Sequence, residues 1–394
     1  MQIDRISDDA SFHALRDEWN ALLQQSRNNE ITLTWEWLST WWKTFRDPVR
    51  KLCILTARDA HKRLIGIAPF YIRTFKPFAF LPAIRQVQFL ASGEDEADEI
   101  CSDYLNFILD AGQEKEVLEA LLQHVAGPLS REWDCLFLCN MRRDTPVCQM
   151  TADLLPTLSL PYQEMSQGVC FYLTLPESWD LFLAQVSSDL RSNIRRNRKT
   201  LSQEGPVDFF KVTDTKTLES AFETLIELHQ KRWTDRGRPG VFSSLRFLAF
   251  HKTLLPMLLT SHQVQFFLVL LDQKPIAAIY NFHYNHKIYF YQSGTDVNLR
   301  RKNTGALSPG LLLHSYAIEE AIKEGAREYD FLAGDAPYKR RWTKQSREMV
   351  SYRVVSATLP MRLHEIMGQG ISLLKKLVRR VKSDEARHDK GAEP

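Results

Sequence analysis

The sequence lacks most features of a secreted protein, of a membrane-spanning protein and of a protein stabilised by a structural metal ion. Its six cysteines are scattered over 394 residues, and only Cys135 and Cys139 lie close together. Their spacing inside a strand-like segment does not suit a zinc knuckle, so we expect buried free thiols in a reducing compartment and no metal site. No apolar run approaches the ~20 residues that span a bilayer. Met1–Arg5 does not begin a signal peptide, and we expect a cytoplasmic protein.

The sequence also lacks an excess of charge of either sign, since its net charge is only +3. Such a balance does not indicate a DNA-binding protein. A hydrophobic content of 44% with 25% charged residues is typical of a globular chain, and 394 residues suggest two or three domains.

Two stretches about 200 residues apart share one pattern. Asp59–Tyr71 and Asp272–Tyr284 each consist of an Asp-containing turn with a lysine, followed by a strand. In each half a further strand and a helix follow, and then a related strand, Glu132–Leu138 or Glu328–Leu332. We therefore predict two tandem copies of one α/β unit, with chance similarity as the alternative. The expected divisions are 1–170, 171–360 and a tail, 361–394.

The second copy contains a candidate anion site. An antiparallel meander over 264–292 leads to Arg300, Arg301 and Lys302, and then to a helix predicted over 311–324. Ser308 suits the N-cap and Pro309 the first helical position, while Gly305 and Gly310 allow close approach of the backbone. Free amides and the helix dipole would attract an anion there. The alternative is an ordinary capped helix after a solvated loop.

Two strongly basic helices are predicted outside these repeats. The first spans 187–204 and includes Arg195 and Arg198; its cations either form a solvated face or contact phosphates of a nucleotide, an RNA or a lipid-linked sugar. The second spans 361–382, with apolar residues on one side and cations on the other. It either packs on its own domain or lies on an anionic membrane or partner protein. We expect residues 383–394 to be disordered.

An aromatic helix is predicted near the start of the chain, at 34–45, capped by Thr34. Its four tryptophans either belong to the core or line an apolar groove for an acceptor.

Several of these segments together resemble a known family, the CelD-type members of the GNAT acyltransferase superfamily. The resemblance covers most of residues 10–355, and its most specific part is Asp335–Trp342. It rests on the motifs Trp35–Trp42, Ser102–Asn106, Leu190–Leu201, His229–Trp233, Ser308–Gly310 and Tyr329–Trp342.

The resemblance implies a fold and an activity. The fold would be α/β, with tandem GNAT-like units as in FemABX-type transferases, each a mixed, mostly antiparallel sheet flanked by helices. The activity would be transfer of an acetyl or other acyl group from acyl-CoA to an amine or hydroxyl, in bacterial exopolysaccharide or cell-envelope biosynthesis. A sugar or other small molecule would be the acceptor. Peripheral association with the inner membrane is left open.

The GNAT signature has Gln or Arg, then Gly three positions on, then Gly or Ala two further. Here Gly305 lies three positions after Lys302, but the position two further, where the signature has Gly or Ala, is Leu307. Two alternatives therefore stay open: an aminoacyl-tRNA donor, with tRNA as the less favoured partner, and a non-catalytic pair acting as an assembly factor.

Acyl transfer needs a base for the acceptor and a proton for the departing thiolate, which defines the candidate catalytic residues. Asp335 is the candidate base, with His283 as the second choice, and Tyr338 is the proton donor. Asp335 has the alternative role of capping the turn before Pro337.

The remaining candidates are binding residues. The expected donor-binding set is Arg300, Arg301, Gly305, Ser308, Gly310 and Leu311. The expected acceptor-binding set is Arg195, Arg198, Trp233, Lys339 and Trp342. For Lys339 the alternative is a surface position, and for the two tryptophans it is the core.

Overall fold

Groups of strands and groups of helices follow one another along the chain. The computed structural model describes residues 1–296, 298–299, 308–356, 358–364 and 366–367. The strands are β1 (Gln2–Ile6), β2 (Arg50–Arg58), β3 (Leu64–Phe75), β4 (Ile84–Phe89), β5 (Ile108–Leu109), β6 (Cys135–Arg142), β7 (Tyr162–Thr174), β8 (Val207–Val212), β9 (Val264–Leu271), β10 (Lys274–Tyr284), β11 (Lys287–Thr295), β12 (Glu328–Ala333) and β13 (Ser346–Val355). The helices are α1 (Asp9–Ala14), α2 (Arg16–Gln25), α3 (Trp35–Phe45), α4 (Glu114–Ala126), α5 (Pro146–Thr157), α6 (Trp179–Gln185), α7 (Ser188–Glu204), α8 (Thr215–Thr234), α9 (Leu245–Thr260), α10 (Pro309–Lys323) and α11 (Pro337–Trp342).

All the strands belong to one sheet, whose order reads almost the same from either edge. The order is β1-β2-β3-β4-β6-β13-β7-β12-β11-β10-β9-β8, with β5 paired to β3. Pairing is antiparallel except for β4 with β6 and β11 with β12, which are parallel. The same succession of antiparallel pairs, one parallel pair and a final antiparallel strand thus occurs twice, which confirms the predicted tandem α/β arrangement.

The two copies exchange their last strands. β7 follows the first copy in the chain but pairs with β12 of the second, whereas β13, at the end of the second copy, pairs with β6 of the first. β7 and β13 also pair with each other along almost their whole length. The expected division at residues 170 and 171 falls inside β7, and the division into domains stays a prediction.

Helix starts follow the local sequence. Thr34, predicted as an N-cap, accepts a hydrogen bond from the Trp37 N–H. Side-chain caps of the same kind begin other helices, at Asp8, Thr145, Ser178, Ser187, Asp214 and Ser244.

Other local predictions need correction. Apolar spacing in the sequence predicts one helix over 12–23, but the chain forms two helices there that meet at Leu15. The apolar sequence over 103–109 predicts a strand, but only Ile108–Leu109 forms one. Cys101 and Tyr104 have positive φ values of 52° and 64° and turn the chain. β1, β7, β8 and β13 were not predicted.

The core crosses the boundary between the copies. α3 lies within it: Trp37 is buried and packs edge-on against Phe250 of α9 and Phe282 of β10, with ring centroids 5.3 and 5.1 Å apart. The tryptophans of α3 therefore serve as core rather than as an acceptor groove. A second buried cluster lies under α6, α7 and α10.

Candidate functional site

A cavity of about 730 Å³ opens where the parallel strands β11 and β12 part. Their pairing is confined to Lys287–Tyr289 with Glu328–Asp330. Beyond those pairs, Phe290–Thr295 of β11 and Phe331–Ala333 of β12 contribute residues to opposite walls of the cavity. The volume lies within the usual range for small-molecule sites, ~300–1,000 Å³.

The N-terminus of α10 forms one end of the cavity through Ser308, Pro309, Gly310 and Leu311. Ser308 occupies the N-cap position, and its own N–H donates to Oδ1 of Asn197 on α7 (2.6 Å). Pro309 has no N–H. The helix therefore presents the amides of Gly310 and Leu311 as terminal donors without an intrahelical partner. This is a geometry that suits an anion.

Charged and aromatic side chains also line the cavity. Arg232, Arg236 and Arg341 contribute cations, and Asp235 and Asp296 contribute carboxylates. Trp233 donates from Nε1 to Nε2 of His229 (2.9 Å), which sets the His229 tautomer with its proton on Nδ1. Burial lowers the pKa of His229 to about 4, so the imidazole is neutral at pH 7.

The opposite wall comes from the first copy of the α/β unit, through Glu99, Cys101 and Asp103. Asp103 is buried, and its Oδ2 accepts from the Ala333 N–H (2.7 Å). Burial, with the nearby Asp330 carboxylate adding to it, raises the pKa of Asp103 to about 7. A buried carboxyl group that titrates near neutrality in a cavity is a candidate general base.

The backbone around Asp103 is strained. Cys101, Tyr104 and Leu332 all have positive φ, although none is glycine. Tyr104 donates from its hydroxyl to Asp330 Oδ2 (2.6 Å), and the Leu332 N–H donates to Asp330 Oδ1 (2.7 Å). Tyr104, Asp330 and Leu332 therefore form one hydrogen-bonded cluster. Strain of this kind is concentrated at functional sites in proteins.

Lys339 supports the same cluster from α11. It is buried, and its Nζ donates to the carbonyl oxygens of Leu332 (2.9 Å) and Ala333 (2.6 Å). Burial lowers its pKa, and the charges of Asp103 and Asp330 oppose that effect. Lys339 thus holds the end of β12 against the cavity and adds positive charge beside Asp103.

An aromatic group closes the remaining side. The ring of Tyr338 stacks on buried His314 with centroids 5.8 Å apart, and Trp342 meets the same imidazole edge-on at 5.9 Å. Burial raises the pKa of Tyr338 to about 12, so its hydroxyl keeps its proton at neutral pH. The hydroxyl is therefore a hydrogen-bond donor at the cavity wall.

The structure brings most of the described predicted residues together. Those that line the cavity are Ser308, Gly310, Leu311, Trp233, Tyr338, Lys339 and Trp342. Arg300, Arg301 and Gly305, with the rest of the signature segment, lie outside the described residues. Asp335, His283, Arg195 and Arg198 do not line this cavity.

Asp335 lies on the surface, where Arg340 Nε donates to its Oδ1 (2.6 Å) and a second guanidinium nitrogen contacts Oδ2. This bidentate pairing lowers the pKa of Asp335, which makes the carboxylate a weak base at neutral pH. His283 lies on β10 opposite Ile288, before the point where β11 and β12 part, and its Nδ1 is 3.7 Å from Glu324. Asp103 lines the cavity, whereas Asp335 and His283 do not.

The two arginines of α7 differ from each other. Arg198 bonds to Ser315 Oγ (3.1 Å) and Glu319 (2.5 Å) and covers the ring of Tyr316, with its guanidinium carbon 4.2 Å from the centroid. These contacts fix α7 to α10. Arg195 is exposed to solvent.

Sequence reasoning missed Asp103, Glu99, His229 and His314 as site residues. Asp103 and His229 stand within motifs that carry the family resemblance, 102–106 and 229–233. Those motifs were the available signal, but no local pattern shows that the first copy reaches into the cavity of the second.

Comparisons with known proteins concern the family and the fold of the chain. Residues 188–340 match the sequence profile of the family described as "Acetyltransferase (GNAT) domain". The chain is similar in structure to FemX, with 12% identity and a TM-score of 0.60 over 93% of this chain and 99% of FemX. It is also similar to a conserved protein of unknown function from Bacteroides thetaiotaomicron VPI-5482, with 11% identity and a TM-score of 0.51 over 90% and 100% of the two chains. No curated protein matches its sequence.

Proposed function

We propose that the protein is an acyltransferase that uses an acyl-CoA thioester as donor, because residues 188–340 match the profile of the acetyltransferase (GNAT) domain and the fold is similar to that of FemX. The observation that supports this most directly is the cavity between β11 and β12, with the N-terminus of α10 at one end and a buried carboxyl group on the opposite wall. The acceptor is an amine or hydroxyl. A role in bacterial exopolysaccharide or envelope synthesis rests on the CelD resemblance alone.

The residues at the α10 end fit the donor. The Gly310 and Leu311 amides suit the pyrophosphate, and Arg232, Arg236 and Arg341 supply compensating positive charge. The donor supplies an activated acyl carbon when bound. Acetyl-CoA is the first donor to examine, and longer acyl esters come next.

Asp103 and Tyr338 carry the proton transfers. The Asp103 carboxylate takes a proton from the acceptor nitrogen or oxygen, because its pKa near 7 leaves much of it ionised at neutral pH and still basic. The Tyr338 hydroxyl donates a proton toward the departing sulfur. Lys339 keeps the Leu332 and Ala333 carbonyls in place and so orients the Ala333 N–H that binds Asp103.

The base assignment is tested by a matched pair of variants, Asp103→Asn and Asp335→Asn. Thiol release from acetyl-CoA is measured with a panel of primary amines, alcohols and amino sugars. Asp103→Asn should bind the donor but lose turnover by about 10²–10⁴-fold, as expected for removal of a general base. Asp335→Asn should keep near-normal turnover because its carboxylate is paired with Arg340 outside the cavity.

Donor binding is measured separately by thermal shift. Ligand at 100 times its dissociation constant adds about 2.7 kcal/mol of stability. Loss of turnover in Asp335→Asn alone would return the base role to Asp335. No stabilisation by any acyl-CoA ester would contradict the donor proposal and favour a tRNA-borne donor or a non-catalytic role.

A further inference from the structure

A second surface, remote from the cavity, is formed by the loop 76–83 and the helical residues 359–364 and 366–367. His364 fastens the two segments: its Nε2 lies 2.7 Å from the Pro82 carbonyl oxygen, and its ring stacks on Phe78 with centroids 5.7 Å apart. Met361 packs into a small buried cluster with Ile84 and Cys135. The loop and the helical segment are therefore held as one unit against the ends of β4 and β6.

The outward side of this unit is apolar. Leu359 and Ile366 are each 68% exposed, and Phe80 on the loop is 71% exposed. On a helix, positions 359, 363, 366 and 367 share one face, while the buried Met361 and His364 lie on the other. The segment thus packs against the protein through Met361 and His364 and turns its apolar stripe to solvent. We name Phe80, Leu359, Leu363, Ile366 and Met367 the outer apolar face.

The sequence beyond residue 367 continues the same pattern, although residues 368–394 lie outside the described structure. Apolar residues recur at 371, 374, 377, 378 and 381, the spacing that extends the stripe. Residues 361–382 carry six cations and one carboxylate. Exposed Arg362 and Lys76 place the same charge beside the outer apolar face.

We propose that the outer apolar face docks on the surface of an anionic lipid bilayer, with the cations of Lys76 and Arg362 contacting lipid phosphates. An apolar stripe bordered by Lys and Arg is the pattern of helices that lie in the membrane interface. Two copies of the chain meeting through this face would bring like charges together, whereas anionic headgroups complement them. None of the helices among the described residues has the length and hydrophobicity of a membrane span.

Docking through this face leaves the cavity accessible. Met361, on the inner side of the same helical segment, packs near Val355 at the end of β13, which lies beside the start of β7 near Tyr162. The cavity adjoins Ala333, which pairs with Cys170 further along β7. The two sites are therefore separated along the strand direction, and this inference does not depend on the proposed reaction.

Sedimentation with vesicles tests the proposal. The full chain is mixed with phosphatidylcholine vesicles with or without about 30% phosphatidylglycerol, at low and physiological salt. We expect binding to the anionic vesicles only, weakened by salt. The double variant Leu359→Glu/Ile366→Glu, or Phe80→Glu, should lower the partition coefficient at least tenfold.

The matched control is Leu245→Glu, because Leu245 is an 81% exposed leucine at the start of α9, outside this face. Its partition coefficient should stay at the wild-type value. Thermal melts check that all variants fold, and sedimentation velocity without lipid reports self-association. Unchanged vesicle binding in both outer-face variants, absence of binding, or a dimer broken by Leu359→Glu/Ile366→Glu would each overturn the proposal.

Discussion

Asp103 shows how surroundings change the chemistry of a single residue. The same carboxyl group in water has a pKa near 3.8, and burial raises its pKa to about 7. Between these values the folded protein keeps a proton that the unfolded chain has released. Stability from this group is therefore present at low pH and is lost as pH rises from about 4 through 7.

Asp103→Asn should remove that dependence. The melting temperature of the wild type should fall relative to that of the variant between pH 5 and pH 8, because only the wild type must ionise a buried group. Melts at a series of pH values measure the difference. Asp335→Asn serves as the control and should show no such loss, since the pKa of Asp335 is lowered and not raised. A parallel pH dependence for wild type and Asp103→Asn would contradict the raised pKa.

Gly294 on β11 marks a close approach between strand and helix. A methyl group there would lie 2.7 Å from the His229 backbone nitrogen and 2.8 Å from the Leu225 carbonyl oxygen of α8. Because backbone atoms cannot move aside cheaply, Gly294→Ala should destabilise the protein by ~1–3 kcal/mol. Urea unfolding measures the change.

Gly310→Ala is the control, since its added methyl group meets no atom of the described structure within 4 Å. It should leave stability unchanged or slightly increased, as expected for alanine near a helix start. Equal costs for the two substitutions would refute the close approach of α8.

Part of the cavity could be predicted residue by residue. Ser308, Tyr338, Lys339 and Trp342 follow a strand or begin a helix, positions where local sequence has clear meaning. Asp103 could not be placed in this way, because its role depends on packing of the first copy against Ala333 of the second. Asp335 was chosen from its loop position, but its orientation is set by Arg340, five residues away.

At the scale of elements, α10 is positioned by α7. The N-cap position at Ser308 was predicted from sequence, but the stabilising hydrogen bond differs from the usual one. The Ser308 backbone N–H donates to the buried Asn197 side chain, so a residue of α7 holds the end of α10 that faces the cavity.

Asn197→Ala should therefore destabilise the protein by ~1–2 kcal/mol, the cost of losing a capping interaction and leaving a backbone donor unpaired. Ser308→Ala should cost much less, because the Ser308 side chain makes no capping bond within the described residues. Chemical denaturation of both variants gives the comparison, with Asn193→Ala on the same helix as a control. A larger loss for Ser308→Ala than for Asn197→Ala would contradict this account.

Meander strands and amphipathic helices were predictable, whereas the central strands were not. β9–β11 alternate β-branched and aromatic residues between turn signals, a pattern that specifies a strand locally. β7 and β13 are rich in polar and charged residues and contain register shifts where they pair with each other and with β6 and β12. Such segments become strands because of their partners, which are distant in sequence.

The exchange of β7 and β13 makes the whole molecule one structural unit. Each copy completes its half of the sheet with a strand from elsewhere in the chain, and the buried cluster around Trp37 spans both copies. Neither copy has a complete sheet of its own. We therefore expect one cooperative unfolding transition, with equal calorimetric and van't Hoff enthalpies.

A fragment of residues 1–175 should not fold alone, because it leaves β6 without β13 and β7 without β12 and β13. Co-expression with residues 176–394 should restore a soluble complex. Circular dichroism and gel filtration report both outcomes. A monomeric 1–175 fragment that unfolds cooperatively would show that the first copy is autonomous.

The position of β13 in the chain also affects synthesis. β6 has two neighbours in the sheet, and one of them, β13, lies roughly 200 residues further along the chain. At a synthesis rate of ~5–20 residues per second, β13 therefore emerges from the ribosome on the order of tens of seconds after β6. During that time the nascent chain presents an unpaired strand edge, a template for association with other chains. The protein should thus depend on chaperones during translation more than a serially folding two-domain protein of the same length.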